Sequence, residues 1–279
     1  MTNTENTLDI VEEYLKKVQE IWNSHKDVSL AGQLYEIRDY LKKEALLFIS
    51  LNPSGEAKVE NNQIKILNIY NYTYKALGKN GISTSNDEKP EGKNQKISCE
   101  KFFKKMNDIS CYADNSAMAH LDLLFVNERT QTTIIKAMAN ERFKDFAKEQ
   151  LLLSVDMMRA VEPKAIIVCN TLARDLLMKC FPRKYDQFDP MEKVEDYHFY
   201  DCLKEEIFEI EPQGYIQFDN RIGTYRIYGI RKENDKGIPI FFCGTFSGRR
   251  PIDKGTYALL KWHVCQVMKY EEEIGKNKK

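Results

Sequence analysis

The sequence predicts an α/β fold organised around a parallel sheet. Three observations carry the prediction. Short continuous apolar runs recur at 45–51, 120–126, 165–169 and 238–243, the pattern of strands buried on both faces. Each run ends in a polar turn: Asn52-Pro53-Ser54-Gly55, Asn127-Glu128-Arg129-Thr130, Asn170-Thr171, and the stretch from Gly244 to Pro251. The segment 141–180 reads helix, strand, turn, helix, which is the unit from which parallel sheets are built.

Taken in order, residues 7–23 place Leu8, Val11, Leu15, Val18 and Trp22 on one stripe, so a helix is expected there. A second helix is expected over about 30–43 from Leu34, Ile37 and Leu41. Ala45 to Leu51 is the first strand, and Asn52-Pro53 stops it. Residues 78–98 are rich in Lys, Asn, Gly, Ser and Glu and read as a surface loop, followed by a helix around Phe102–Met106. His120 opens the second strand, which runs to Val126. Over 141–161, Phe143, Ala147, Leu151, Val155 and Met158 share a helix face, and Glu162-Pro163 ends that helix. The third strand is Ala165–Cys169, and Asn170-Thr171 caps a helix at 172–180. Residues 183–213 are charged and aromatic and read as an insertion. Tyr215–Phe218 and Thr224–Arg231 are expected to pair as a hairpin, making 183–235 one inserted unit. Ile238–Cys243 is the last strand. A final helix over 254–272 has Tyr257, Leu260, Val264 and Val267 on one side, and the end from Lys276 is expected to fray.

At 279 residues with 42% hydrophobic content, the chain fits one domain with its own core. Lysine plus arginine equals aspartate plus glutamate at 42 each. A zero balance weakens the case for bulk attraction to nucleic acid or anionic membrane while leaving room for a local basic groove. No apolar run has the length of about 20 residues that a membrane helix needs. The polar, acidic start is unlike a signal peptide, so a cytoplasmic protein is expected. The seven cysteines form no CxxC pair. Zinc-ribbon and compact iron–sulfur spacings are therefore missing, and no metal or cofactor is expected.

Ligands of open α/β sheets bind beyond the carboxyl ends of the strands, so the four polar turns are the places to weigh. They hold no GxSxG, no Walker A loop and no GxGxxG. None of the histidines (His25, His120, His198, His263) falls at an expected strand end, and each reads as structural or surface. Ser54 has no base and orienter beside it in sequence, which argues against a nucleophilic serine. Cys169 and Cys243 lie in apolar runs and read as inert thiols.

Three segments resemble the uracil-DNA glycosylase superfamily. Leu51-Asn52-Pro53-Ser54 is similar to the first motif of its asparagine-using branches, Gly-x-Asn-Pro-Gly. The segment from Glu149 to Leu177, with Val161-Glu162-Pro163-Lys164-Ala165-Ile166-Ile167-Val168, resembles the family's long helix, Pro-Lys, strand and short helix. Phe246-Ser247-Gly248-Arg249 stands where the family carries a His-Pro-Ser or Asn-Pro-Ser loop. The resemblance spans about 45–270. Ser50 replaces the family's glycine, and Thr245 or Phe246 stands where its last motif opens with His or Asn.

The resemblance implies a three-layer α/β/α domain with a short, mainly parallel sheet, here with a helical extension at 1–44 and two insertions. It also implies cleavage of the N-glycosidic bond of a flipped uracil-like, damaged or modified base. Asn52 would orient the attacking water without the cost of burying a carboxylate. Leu51, Pro53 and Ser54 would shape the base pocket. Asn127 would read the base edge through its amide donor and acceptor. Arg129, Ser247, Arg249 and Arg250 would hold the DNA backbone, and Phe246 would wedge into the stack. Each residue also has a plain structural reading: Asn52-Pro53 as a turn, Asn127 as a strand-end cap, Arg249-Arg250 as a solvated pair, Phe246 as core. Two further functions stay open. One is a silent member that binds nucleic acid or a partner. The other is a hydrolase of free nucleosides or nucleotides.

Overall fold

Leu46 to Ser50 pairs with a strand on either side, and its five side chains are all buried. This is the outcome expected of a continuous apolar run. The computed structural model describes residues 13–14, 16–18, 20–25, 32–35, 44–51, 64–67, 93–114, 116–126, 134, 141–177, 209–212, 222–230, 237–246 and 251–276.

Within them lie strands β1 (Gly32–Tyr35), β2 (Leu46–Ser50), β3 (Ile64–Leu67), β4 (Met118–Asp122), β5 (Ala165–Val168), β6 (Glu209–Pro212), β7 (Gly223–Tyr228) and β8 (Ile238–Phe242). The helices are α1 (Lys93–Tyr112), α2 (Glu141–Val161), α3 (Thr171–Leu177) and α4 (Lys254–Lys276). The main sheet has the order β4-β2-β5-β8-β7-β6. β4, β2, β5 and β8 run parallel, and β7 is antiparallel to both β8 and β6. The fold is therefore mixed α/β with a mainly parallel sheet.

Pairing registers bring His120, Phe48, Ile167 and Phe241 to one level across the four parallel strands. Helices α1 and α4 cover this face. Phe102 and Phe103 of α1 lie edge-on to His120, His263 of α4 lies edge-on to Phe241, and the Tyr257 hydroxyl of α4 donates to the Lys105 carbonyl of α1 at 2.8 Å. Phe48 and Phe241 are fully buried, each contributing about 1.5–3 kcal/mol by leaving water.

The expected stripe of α4 is seen: Leu260, Val264 and Val267 are buried, and Tyr257 packs against them at the core's edge. The helix reaches Lys276, four residues beyond the expected end. α2 ends as expected before Pro163, with Glu162 in the left-handed region (φ 45°). The N-terminal helical turns within 13–24 dock on α2. Trp22 stacks on Phe146 with ring centres 4.4 Å apart, and the Tyr14 hydroxyl donates to the Asp156 carbonyl at 3.0 Å.

Asn170 caps α3 as expected: its Oδ1 accepts from the Leu172 and Ala173 amides at 2.9 and 3.1 Å. Asn170→Ala is expected to cost about 1 kcal/mol, read as a lower urea midpoint at unchanged slope.

Several expectations are corrected. The helix expected over 30–43 contains instead β1, which pairs parallel with β3 in a separate two-stranded sheet. Gly32 is a poor helix former, and tertiary pairing overrides the helical spacing of Leu34, Ile37 and Leu41. α1 starts at Lys93, inside the loop expected over 78–98. Lys and Gln are good helix formers even where no apolar stripe marks them. β4 begins two residues before His120 and ends at Asp122. Leu123 to Val126 are buried irregular backbone. The end of β2 accepts from the Leu123 and Leu124 amides, and α2 takes two further groups: Gln150 Oε1 accepts from the Phe125 amide, and the Ser154 hydroxyl donates to the Leu123 carbonyl at 3.1 Å.

The hairpin partner of β7 is β6, within the stretch read as an insertion, while 215–218 lie outside the described residues. β6 shows one apolar residue between glutamates and closes on Pro212, which suits a sheet edge and gives little signal in sequence. No described helix is long and apolar enough to cross a membrane.

Candidate functional site

The connection leaving β2 runs to β4 on one side, and the chain leaving β5 continues toward β8 on the other. The carboxyl ends of β2 and β5 thus flank the topological switch point, where ligands of open α/β sheets bind. Leu51 directly follows β2, and Asn52 is the next residue in the chain.

At this edge the ladder continues one position past β5 and β8. The Cys169 amide donates to the Ile49 carbonyl at 2.9 Å, and the Cys243 amide donates to the Val168 carbonyl at 3.0 Å. Asp122, Ser50, Cys169 and Cys243 therefore form the last level of the four parallel strands, above His120, Phe48, Ile167 and Phe241. A level of apolar and aromatic side chains gives way to one of polar and soft ones where the chain leaves the sheet.

These groups touch. Ser50 Oγ lies 2.9 Å from His120 Nε2 and 3.7 Å from Cys169 Sγ. The Cys169 thiol donates to the Ile49 carbonyl at 3.2 Å, and the Cys243 thiol to the Val168 carbonyl at 3.5 Å. His120 is 1% exposed, Asp122 2% and Ser50 8%. Burial pushes the His120 pKa down to about 3 and the Asp122 carboxyl well above its ordinary value, so both are driven toward their uncharged forms. The 3.8 Å approach of Asp122 Oδ1 to His120 Nε2 is accordingly not an ion pair. Asp122 Oδ2 has no hydrogen-bond partner among the described residues. Burial also raises the Cys169 and Cys243 thiols, which makes them poor nucleophiles at neutral pH.

Serine, histidine and aspartate together invite comparison with a nucleophilic triad, and the geometry excludes one. In a triad the carboxylate binds the imidazole nitrogen remote from the serine. Here Ser50 and Asp122 approach the same nitrogen, Nε2. The cluster is an uncharged polar floor rather than a charge-relaying nucleophile.

The site residues expected from sequence divide three ways. Leu51 is buried at the switch point, and its carbonyl accepts from the Leu124 amide at 2.8 Å. Phe246 is corrected: its ring is 1% exposed and packs among Phe48, Phe102 and Tyr257, so it is core and presents no wedge. A large aromatic four residues past a buried strand stays within reach of the core. Asn52, Pro53, Ser54, Asn127, Arg129, Ser247, Arg249 and Arg250 lie outside the described residues. Because β4 ends at Asp122, Asn127 comes later after the strand than the sequence suggested.

The base of the last loop is closed. The Ile252 amide donates to the Thr245 carbonyl at 2.8 Å, and Lys105 Nζ donates to the Phe246 carbonyl at 2.7 Å. Partial burial lowers the Lys105 pKa. The two ends of this loop, Phe246 and Ile252, are thus held by helix and strand end. Sequence reading missed Ser50, Asp122 and His120. The only signal was the polar interruption at 50 and at 120 and 122 in otherwise apolar runs.

Among the described residues no group of three or more His, Cys, Asp or Glu side chains is placed to hold a metal ion. Comparison with protein-family models, with curated proteins and with solved structures gave no match.

Proposed function

We propose that the chain is a DNA-glycosylase-like hydrolase that cleaves the N-glycosidic bond of a flipped uracil-like, damaged or modified base. One observation supports this most: the strand that leads in sequence to Asn52-Pro53-Ser54 leaves the sheet through Leu51 at the switch point, beside the neutral cluster of Ser50, His120 and Asp122. The mainly parallel sheet supports the three-layer reading as well. β2-to-β4 and β4-to-β5 are connections in opposite directions, and the right-handedness general to such crossovers would put α1 and α2 on opposite faces.

In this reading Asn52 accepts a hydrogen bond from water and aims its oxygen at the sugar C1′. The water oxygen bonds to C1′ as the C–N bond breaks, the base departs with the bonding electrons, and the water's proton passes to the base or to solvent. Positive charge on the sugar and negative charge on the base develop together. An uncharged amide over an uncharged floor holds the water without a buried carboxylate to desolvate. Leu51, Pro53 and Ser54 form the pocket wall and Asn127 reads the base edge. Arg129, Ser247, Arg249 and Arg250 hold the DNA backbone, the last three from the closed stem at Thr245–Ile252.

The burial of Phe246 favours a second reading, a hydrolase of free nucleosides or nucleotides, which needs no wedge to open a base stack. Both are tested by measuring base release from single- and double-stranded oligonucleotides carrying a panel of modified bases, beside the matching free nucleosides. Release from oligonucleotides is the expected result. Release from free nucleosides alone favours the second reading, and DNA binding without release on any substrate marks a silent binding protein.

A further inference from the structure

We infer that the seam between α1 and α4 is a binding track for single-stranded nucleic acid, in which Lys105 and Lys261 take backbone phosphates and Tyr112 takes a base. This goes beyond the proposed reaction and needs from it only that the substrate is a strand.

The seam is built around Tyr257. Its hydroxyl donates to the Lys105 carbonyl at 2.8 Å, which ties α4 to α1. Lys105 Nζ and Lys261 Nζ lie 5.7 and 5.2 Å from the centre of its ring. Lys261 Nζ also stands 5.6 Å from the ring centre of Tyr112, the last residue of α1. Cation, ring, cation and ring thus follow one another from Lys105 to Tyr112, about two turns further along α1. The first of these cations reaches the strand end of the sheet, where Lys105 Nζ donates to the Phe246 carbonyl at 2.7 Å, four residues past β8.

Charge sets the two lysines apart. Lys104 has the Asp108 carboxylate at 3.1 Å. Among the described residues neither Lys105 nor Lys261 has a carboxylate within ion-pair distance. A fully exposed lysine is solvated by water and needs no partner. These two are partly buried, and burial lowers the Lys105 pKa. Each has given up hydration without gaining a counter-ion. Ring faces and a carbonyl oxygen offset part of that loss, and an anion would offset the rest. Tyr112 is 50% exposed even with Lys261 beside it, so its ring still offers surface on which a base can stack. A single strand alternates phosphate and base much as the seam alternates cation and ring. A duplex keeps its bases stacked on one another and offers the seam phosphates alone. With a formal net charge of zero, attraction to a strand has to be local, as it is here.

Fluorescence anisotropy of a labelled oligothymidylate over a series of salt concentrations tests the track. Lys105→Gln and Lys261→Gln should each weaken binding roughly threefold to tenfold. Each should also reduce the slope of log K against log salt by about 0.7, and the two losses should add in the double variant. Tyr112→Ala should weaken binding roughly tenfold at unchanged slope, while Tyr112→Phe keeps most of the affinity because stacking uses the ring. On a duplex of the same length Tyr112→Ala should have no effect. Lys269→Gln, which changes an exposed lysine of α4, should leave affinity within about twofold. Lys261→Gln leaves the Phe246 contact intact, so its result stands even where Lys105→Gln unsettles the fold.

Wild-type affinity and slope in Lys261→Gln and Lys105→Gln overturn the track and leave the hydrolase reading standing. So does thymidine monophosphate bound as tightly as the strand, which favours the reading on free nucleotides. Loss in the lysine variants with none in Tyr112→Ala overturns the assignment to a single strand. A wild type that binds no strand overturns the track together with the DNA-acting reading. The expected losses, with base release from no substrate, uphold the track and overturn the hydrolase reading.

Discussion

Asn52→Ala should lower base release by roughly 10²–10³-fold, the scale associated with deleting one preorganised hydrogen-bonding group from a reacting centre. The loss should appear in kcat, because in the proposed reaction the amide acts on water as the glycosidic bond breaks and contributes less to holding the substrate. Folding should be little affected. Asn52 lies past the last level of β2, and the sheet up to Leu51 is closed by backbone bonds that do not use its side chain. Asn52→Asp separates orientation from charge. A carboxylate still accepts from water but must be desolvated next to an uncharged floor, so its activity should fall between those of wild type and Asn52→Ala, with a new dependence on pH. Single-turnover rates with protein in excess provide the measurement. Wild-type turnover in Asn52→Ala removes this residue from the mechanism.

Acidification should expose the second large effect. The unfolded histidine titrates near 6.5, and burial pushes folded His120 to about 3. Between those values the unfolded chain binds a proton that the folded chain excludes. Stability is therefore lost as pH falls below 6.5 and continues to fall until about pH 3. The slope approaches about 1.4 kcal/mol per pH unit and the total is on the order of a few kcal/mol.

Asp122 has the opposite sign. Its folded pKa stands well above 3.8, so its contribution is full below that value and disappears as pH rises through the raised one. The two residues oppose each other, and wild type should show a shallower acid limb than His120 alone would give. Asp122→Asn should steepen that limb, while His120→Gln should flatten it. Urea unfolding at a series of pH values between about 4 and 7 distinguishes the three. Identical slopes in wild type and His120→Gln would show that His120 is not the group excluded from protonation.

What could be read from sequence was largely local or strongly apolar. Ala45–Leu51, Ala165–Val168 and Ile238–Phe242 announced themselves because a strand buried on both faces has no polar alternation to confuse the pattern. The end of α2 and the Asn170 cap depend on neighbours within four residues, so they too were legible.

The failures share a cause. Leu123–Val126 looks like strand because it is apolar and buried, and its first two amides do bond to the Ser50 and Leu51 carbonyls, yet the Phe125 amide and the Leu123 carbonyl turn to Gln150 and Ser154 on a helix still to come. β1 depends on β3 for its identity, and β6 depends on β7. The floor of the site was the least legible part. His120 looked like the opening of a strand, and Ser50 looked like a departure from a glycine motif. Only the parallel register of β2 with β4 brings the two within a hydrogen bond, across 70 positions of sequence.

That separation bears on how the chain is made. On the ribosome, β2 is complete at Ser50, but its first neighbour ends at Asp122 and its second at Val168. At synthesis rates of about 5–20 residues per second, several seconds pass before β4 emerges, and more before β5 does. Throughout that interval one of the most apolar segments of the protein has both strand edges open. Non-local parallel pairing also carries a loop-closure cost that delays it further. α1 needs no remote strand to complete its own ladder, and it is finished just before β4 appears. In chain order it is thus complete before β4, against whose His120 it packs. The helix that clamps His120 in the finished protein is thus ready when β4 emerges, so that strand meets its helix and its partner β2 together.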